Sequence, residues 1–282
     1  MINFNGTLTN SETIQQLTSN RGYKYGDALF ETLKVVHGKI LFLEDHYFRL
    51  MASMRILRME IPMNFTMEFL ESEILKTIEA NNLSKTSARI RININRAEGG
   101  KYAPTTNTID YTMNVEKLSA DFYALHYDTN YTIDLYKDFF VAPGLLSTLK
   151  TNNRIVNVLG SIYAKENNLE NCLVLNTDKN ILEALNGNLF LVKDNIIKTP
   201  PLTDGCLKGI MRKQLIALIE TLEEYQIEET SIAPFELQKA DELFITNVIV
   251  GIQPVLNYRK KQFSTKVAAL LIQKLNTKIR LT

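Results

Sequence analysis

One lysine is oddly placed in the segment GLLSTLKTNNR, residues 144–154, where Lys150 follows a short apolar run and precedes Thr151, Asn152 and Asn153. Neither a helix stripe nor a solvated charge run accounts for it, although an exposed loop is the usual home of a lysine. Partial burial by GLLSTL would disfavour the ammonium and lower the amine's pKa, into a range where lysine serves as nucleophile or base. Two further side chains invite a chemical reading. Arg49 carries a planar guanidinium that can hold two phosphate oxygens at once, yet it shares its helical segment with Arg55 and Arg58 and alone is an ordinary helix arginine. Glu183, in NILEALNGNLF, closes a strand-like run, where a lone glutamate is commonly a solvated edge residue.

The elements that must position these groups are readable in part. ALFETLKVVHGKILFLEDH predicts two strands around His37-Gly38, with Gly38-Lys39 as the turn, and EDHYFRLMASMRILRM predicts a helix ending before Pro62. NFTMEFLESEILKTIEANN predicts a second helix, capped by Asn64 or Thr66 and stopped at Asn81-Asn82. SARIRININRAEGGKY alternates Ile90, Ile92 and Ile94 with Arg91, Asn93 and Asn95, the pattern of a strand half exposed or facing a polar cleft. Residues 1–117 thus read as a small α+β domain, 118–126 as a linker where pattern lapses, and 127–282 as a larger domain carrying Lys150. In that second part DLYKDFFVA, NCLVLNT, LFLVKDNIIKTP and ELFITNVIVGIQPV read as strands, and NRIVNVLGSIYAKENN and GIMRKQLIALIETLE as helices. There is no clean βαβ rhythm, and the Asp194-Asn195 turn points to a mixed or antiparallel sheet.

Composition removes several classes of function. The 32 basic and 31 acidic residues leave no global field for nucleic acid. Cys172 and Cys206 are isolated and His37, His46 and His126 are scattered, so neither a disulfide framework nor a metal site is expected. No glycine-rich phosphate loop or dinucleotide fingerprint is present. No apolar run reaches membrane-spanning length and the amino terminus lacks a basic region followed by an apolar core, so a soluble, cytoplasmic protein without a membrane partner is expected.

At RGYKYGDALFETLKVVHGKILFLEDHYFRL the chain resembles the class IV, fold type IV pyridoxal-phosphate enzymes, which include branched-chain and D-amino-acid aminotransferases and 4-amino-4-deoxychorismate lyase. The matching features are Tyr25-Gly26-Asp27, Phe30-Glu31-Thr32, the His37-Gly38-Lys39 hairpin and His46-Tyr47-Phe48-Arg49-Leu50. LKTNNR, LEALNGNLF, TPPLTDGCLKGIMR and ADELFITNVIVGIQPV follow in the family's order and carry the resemblance over nearly the whole chain. It implies an α+β N-terminal domain, a mixed α/β pseudo-barrel C-terminal domain and pyridoxal 5'-phosphate as cofactor. It further implies Lys150 as the residue that carries the cofactor and moves protons, and Glu183, beside Asn188-Leu189-Phe190, as the partner of the pyridine nitrogen. Arg49 becomes the phosphate anchor, with backbone amides of Gly209-Ile210-Met211 at a helix start and of Asn247-Val248-Ile249 in a loop completing the cup. Many relatives have threonine where this chain has Val248, so only the backbone contact is carried over. Tyr25, Glu31 and Lys101 are the implied substrate-side residues, and a homodimer acting on a small amine or amino acid is implied as well.

Within the family, three features resemble the lyase: Asn153-Arg154 after Lys150, with Ile155 where transaminases carry a tyrosine; Thr32 where branched-chain enzymes carry glycine; and the KGIMR and ADELFITNVIVGIQPV segments. Glu31 is transaminase-like. The resemblance therefore implies a lyase that forms 4-aminobenzoate and pyruvate for folate synthesis, with Thr32 assisting proton delivery. The alternative is a transaminase of branched-chain or D-amino acids. An inactive binding protein on the same fold ranks lower, because Lys150, Glu183 and Arg49 are all present.

Overall fold

The computed structural model describes residues 1–10, 19–125 and 130–281, and the elements named here lie within them. His126 and the far edge of the linker at 126–127 lie outside the described residues, as does part of the amino-terminal stretch. The chain divides into two compact units, Met1–Asp121 with Lys150–Asn153, and Phe122–Leu149 with Arg154–Thr282.

The first unit contains β1 (Ile2–Phe4), β2 (Thr7–Thr9), α1 (Arg21–Tyr25), β3 (Ala28–Val36), β4 (Lys39–Ile40), α2 (Leu43–Ile56), α3 (Met67–Ala80), β5 (Ser87–Arg96) and β6 (Ile109–Lys117). The strands form one antiparallel sheet in the order β2-β1-β6-β5-β3-β4. The β3–β4 turn is His37-Gly38, both at positive φ (48° and 82°), so Lys39 already belongs to β4. Such a mirror-image turn matches the twist of a hairpin, and glycine adopts it at no steric cost. In α2 the carboxylates Glu44 and Asp45 occupy the first turn, where they complement the helix dipole. Thr66, of the two candidate caps, is the one that accepts the Phe69 N–H at the start of α3.

Strand alternation divides the sheet into two chemically different faces. Leu29, Glu31 and Leu33 on β3 lie opposite Ile94, Ile92 and Ile90 on β5, and this face is buried with Leu50 and Met54 of α2 and Ile74 and Ile78 of α3. Phe30, Thr32 and Lys34 lie opposite Asn93, Arg91 and Arg89 and form the other, polar face. Successive strand residues point to opposite sides, so Glu31 and Thr32 cannot share one environment.

Lys150 is placed differently from the sequence reading, which carries it on the second domain. Its backbone pairs with β3: Phe30 N–H donates to Lys150 O (2.8 Å), Asn152 N–H donates to Ala28 O (3.0 Å), and Leu29 and Thr151 form an antiparallel bridge. Asn153 Nδ2 adds a hydrogen bond to Gly26 O. Four residues are thus held by the first unit's sheet through main-chain bonding, a partnership between positions more than a hundred residues apart that no local pattern reveals.

The second unit contains β7 (Thr132–Val141), α4 (Ile155–Glu166), β8 (Asn171–Asn176), β9 (Ile181–Ala184), β10 (Asn188–Lys193), β11 (Ile196–Thr199), α5 (Ile210–Ile219), β12 (Gln226–Glu229), α6 (Glu236–Lys239), β13 (Glu242–Asn247), β14 (Gly251–Val255), β15 (Asn257–Tyr258), β16 (Lys261–Gln262) and α7 (Lys266–Leu281). Two five-stranded sheets result, β12-β11-β10-β13-β14 and β16-β15-β7-β8-β9. Both are mixed: β7–β8 and β11–β12 are parallel pairs, with α4 and α5 respectively in the intervening chain, while β10–β11 is a hairpin turning at Asp194-Asn195. Their apolar faces share a core that includes Leu173, Leu175, Leu189, Leu191, Leu243 and Ile245.

ELFITNVIVGIQPV is two strands rather than one. Asn247 Oδ1 accepts the N–H groups of Ile249 and Val250 (3.0 Å each), which turns the chain between β13 and β14, and Gly251 follows at φ 78°. Apolar residues on both sides mask this turn, whose sequence signals are Asn247, a turn-forming residue, and Gly251. Helix α7 is absent from the sequence reading, although Val267, Leu271, Leu275 and Ile279, all buried, recur every fourth residue. Its N-terminus is held by the buried Glu242 carboxylate, which accepts from Val267 N, Ala268 N and Ser264 Oγ.

Candidate active site

The candidate residues fall into two groups, one in each unit. In the first, Lys150 Nζ lies 4.3 Å from the Phe30 ring centroid, and the Arg91 guanidinium lies 4.0 Å from the same ring. Thr32, largely buried, is two residues from Phe30 on the same face and directly opposite Arg91. A lysine amine, an aromatic ring, a hydroxyl and a guanidinium are therefore gathered along the start of β3.

Glu31, read from the sequence as a substrate-side residue, is taken up elsewhere. Its carboxylate faces α2, where Arg49 donates Nε to Oε1 (2.8 Å) and Nη2 to Oε2 (2.5 Å), and His46 Nδ1 lies 2.7 Å from Oε2. His46 and Arg49 reach one carboxylate because positions three apart share a helix face. Burial alone would raise the Glu31 carboxyl, but the Arg49 charge and the hydrogen bonds from His46 and Arg49 bring it down to about 2. The imidazole moves in the other sense from a usual carboxylate partner. Burial is the largest influence and lowers its pKa; the Glu31 hydrogen bond and charge raise it, the Arg49 and Lys150 charges lower it, and the net direction is down. The His46–Glu31 contact is consequently a hydrogen bond from a neutral ring to an ion, with Arg49 as the counter-ion.

This cluster predicts acid lability. A buried histidine with a lowered folded pKa stays neutral while the unfolded chain takes up a proton, so its contribution is lost as pH falls below the ordinary value of 6.5. Glu31 adds a second loss between its ordinary 4.5 and about 2. Urea midpoints measured from pH 7 to pH 2.5 should fall in two stages, and Glu31→Gln should flatten the lower stage by on the order of 2–3 kcal/mol. An equal slope in wild type and variant would show that Glu31 carries no special acid sensitivity.

Tyr25 and Lys101 are brought together by residues that the sequence reading passes over. Arg21, buried, donates to Asp27 Oδ2 and to the carbonyls of Gly99, Lys101 and Tyr102, and its guanidinium lies 5.0 Å from the Tyr25 ring centroid. Tyr25 and Tyr102 are themselves 5.5 Å apart. Arg96 donates Nε to the same Asp27 Oδ2 and Nη2 to Oδ1, and also ties down Leu57 O, Arg58 O and Asn107 Oδ1. The loop bearing Lys101 is thus fixed at its base, while the Lys101 side chain stands exposed.

In the second unit, Glu183 lies within β9 rather than at a solvated edge. Its Oε2 accepts Leu207 N–H at 2.9 Å and Asn188 Nδ2 at 3.4 Å, and Asn188 Nδ2 also donates to Leu207 O (2.9 Å). Gly209 opens α5 without a side-chain cap, and a Cβ at that position would stand 2.0 Å from Asn188 Oδ1. Only glycine lets this helix start so close to Asn188. The first-turn amides of Ile210 and Met211 are of the kind that favour a phosphate. The expected contribution of Asn247-Val248-Ile249 is altered: the Ile249 N–H is engaged by Asn247 Oδ1, and Val248 O accepts from Tyr123 OH (2.7 Å). The reason is the Asn247 turn itself, which uses the Ile249 amide, one of the three that the motif assigns to the cup.

These donors fit a pyridoxal phosphate. Each unit, taken by itself, carries donors of the right chemistry: in the first, the Lys150 amine suits an aldehyde and the Arg49 guanidinium a phosphate; in the second, the buried Glu183 carboxylate suits a ring nitrogen and the uncapped start of α5 a phosphate. Among the described residues no cluster of histidine, cysteine and carboxylate side chains could hold a metal, and no helix is long and apolar enough to cross a membrane.

Comparison with known proteins gives the same chemistry. The family model described as amino-transferase class IV matches residues 28–258. A protein of Methanocaldococcus jannaschii, provisionally named a branched-chain-amino-acid aminotransferase, is 28% identical over 288 aligned positions, covering 99% of this chain and 95% of its own. Aminodeoxychorismate lyase of Vibrio harveyi is 25% identical over 240 positions, covering 84% of each. In architecture the chain is similar to the crystal structure of the Escherichia coli branched-chain amino acid aminotransferase, with a TM-score of 0.86 at 24% identity over 97% of this chain and 92% of that one.

Proposed function

The chain belongs to the amino-transferase class IV family and is a pyridoxal-phosphate-dependent enzyme of fold type IV, and from that premise we propose that it is a lyase converting 4-amino-4-deoxychorismate into 4-aminobenzoate and pyruvate. The observation that carries this reading is the hydroxyl of Thr32 on the face of β3 against which the Lys150 amine lies. The bound cofactor supplies an electron sink for the carbanion formed when the substrate loses a proton.

The chain's own residues then have separable tasks. Lys150 would hold the cofactor and, with its amine freed, would take the proton from the amine-bearing ring carbon. Loss of that proton drives cleavage of the bond to the enolpyruvyl oxygen, the ring becomes aromatic, and pyruvate departs after gaining a proton that Thr32 helps to deliver. Arg49 and the α5 amides hold the phosphate, and Glu183 keeps the pyridine nitrogen protonated. Tyr25 at the end of α1, and Lys101 in a loop whose base Arg21 fixes, face the substrate. Folate synthesis is the corresponding physiological context, and a cytoplasmic location belongs to the same reading.

Homodimer formation is part of the proposal. Ile155, Val158 and Ile162 recur along one side of α4 and are all exposed, with Leu145 and Leu146 exposed nearby in sequence. Such a row is of the kind that a second subunit covers.

Transamination is the second reading, favoured by the match to the Methanocaldococcus jannaschii protein over 99% of this chain. The two differ in their need for an acceptor. With 4-amino-4-deoxychorismate alone the lyase gives continuous release of 4-aminobenzoate and pyruvate. A transaminase given leucine or D-alanine stops after one turnover and resumes when a keto acid is added. Sustained acceptor-dependent turnover without 4-aminobenzoate would reject the lyase and keep the cofactor site.

A further inference from the structure

His46 stands apart from the chemistry assigned so far. It is 1% exposed, it lies three residues before Arg49 on α2, and its Nδ1 is 2.7 Å from Glu31 Oε2. Its Nε2 is buried with no hydrogen-bond partner among the described residues. A buried polar atom without a partner is an exception that calls for a reason, since most such atoms in folded proteins are satisfied. An aliphatic side chain would fill this space with no such cost, so the reason must lie on the other nitrogen.

The tautomer follows from the partner. An ionised carboxylate only accepts, so Nδ1 carries the proton and donates, and Nε2 is the bare nitrogen. Glu31 Oε2 is therefore held from two directions, by Nδ1 of His46 and by Nη2 of Arg49, while Oε1 receives Arg49 Nε. A guanidinium is a rigid fork, so fixing the edge that carries Nε and Nη2 fixes the direction of its remaining N–H groups. Nothing in that chain of contacts depends on His46 being charged.

We propose that His46 is a positioning residue for phosphate recognition: its Nδ1–H locks the Glu31 carboxylate side-on to Arg49, and so aims the Arg49 guanidinium at a phosphate monoester. The inference rests on the reading of Arg49 as the phosphate contact. It assigns the geometry of the cluster to a donor at the Nδ1 position. Asparagine places its amide near that position, whereas glutamine places its amide near Nε2, so the two substitutions separate a positioning role from simple filling of space.

The experiment compares equilibrium binding of pyridoxal 5'-phosphate and of pyridoxal, which lacks the phosphate, to apoenzyme followed by protein fluorescence. The ratio of the two dissociation constants measures phosphate recognition independently of turnover. His46→Gln should reduce that ratio about 10-fold, the size of one lost hydrogen bond to a charged group, through weaker binding of the phosphorylated form alone. His46→Asn should restore it to within about 3-fold of wild type. Arg49→Gln is the control for the underlying reading and should reduce the ratio by about 100-fold. If Arg49→Gln leaves the ratio unchanged, the phosphate assignment of Arg49 falls and the His46 proposal with it. If Arg49→Gln collapses the ratio but His46→Gln does not, or if both His46 variants weaken both ligands equally, only the positioning role is overturned. Should His46→Gln fail to fold, His46→Leu takes its place, with the same 10-fold expectation and the same rejecting outcomes.

Discussion

Lys150→Ala should lower turnover by at least about 10⁴-fold, because in the proposed mechanism one side chain both carries the cofactor and transfers the proton, and functions lost together exceed the usual contribution of a single general base. Borohydride reduction of the wild-type holoenzyme should leave the cofactor fixed on Lys150, and peptide mass mapping should find no such adduct in the variant. The fold should survive. Lys150 is joined to β3 through its carbonyl, which accepts the Phe30 N–H, and that bond is unaffected by trimming the side chain. What the variant loses is the contact between the amine and the Phe30 ring, worth roughly 0.5–1 kcal/mol at a partly exposed site. A thermal midpoint within a few degrees of wild type is therefore expected alongside the loss of activity. Recovery of the reduced cofactor on a different lysine would overturn the assignment, and a variant that failed to fold would instead show that the amine supports the sheet.

The same residue shows where sequence reading succeeds and where it stops. The β3–β4 hairpin and helix α2 were legible because alternation, a glycine turn and four-residue spacing are local signals. The pairing of Lys150–Asn153 with β3 is long-range and leaves no trace in the neighbouring residues. Glu31 is a different case. Its separation from Thr32 was available from strand periodicity, since adjacent residues must face opposite ways, but matching Phe30-Glu31-Thr32 as a motif treats them as one patch. The carboxylate turned instead toward α2, where Arg49 and His46 await it. Arg21 and Arg96 escaped notice because what they do is bond to backbone carbonyls in distant loops, and that depends on where the chain returns rather than on residue type. Asn247 hid a turn inside an apolar run, and with it the fate of the Ile249 amide.

The second large effect concerns the acid in the other unit. Glu183→Gln should lower turnover roughly 10²- to 10³-fold, the range observed when one preorganised electrostatic contact to a developing charge is removed. The substitution is nearly isosteric, and a glutamine carbonyl oxygen can still accept the Leu207 N–H that now reaches Glu183 Oε2 at 2.9 Å, so β9 and the start of α5 should remain in place. What it removes, on the proposed assignment, is the negative charge that would hold a proton on the pyridine nitrogen, and with it the pull on the substrate carbanion. The defect should therefore fall on proton removal by Lys150. Deuterium at the amine-bearing carbon should slow Glu183→Gln more than wild type, because in the variant that step limits the rate. Glu183→Asp keeps the charge but withdraws it by one methylene, and should lie between the two. A Glu183→Gln enzyme with wild-type turnover and an unchanged isotope effect would return this residue to a structural role, holding Asn188 and Leu207 beside the glycine where α5 begins.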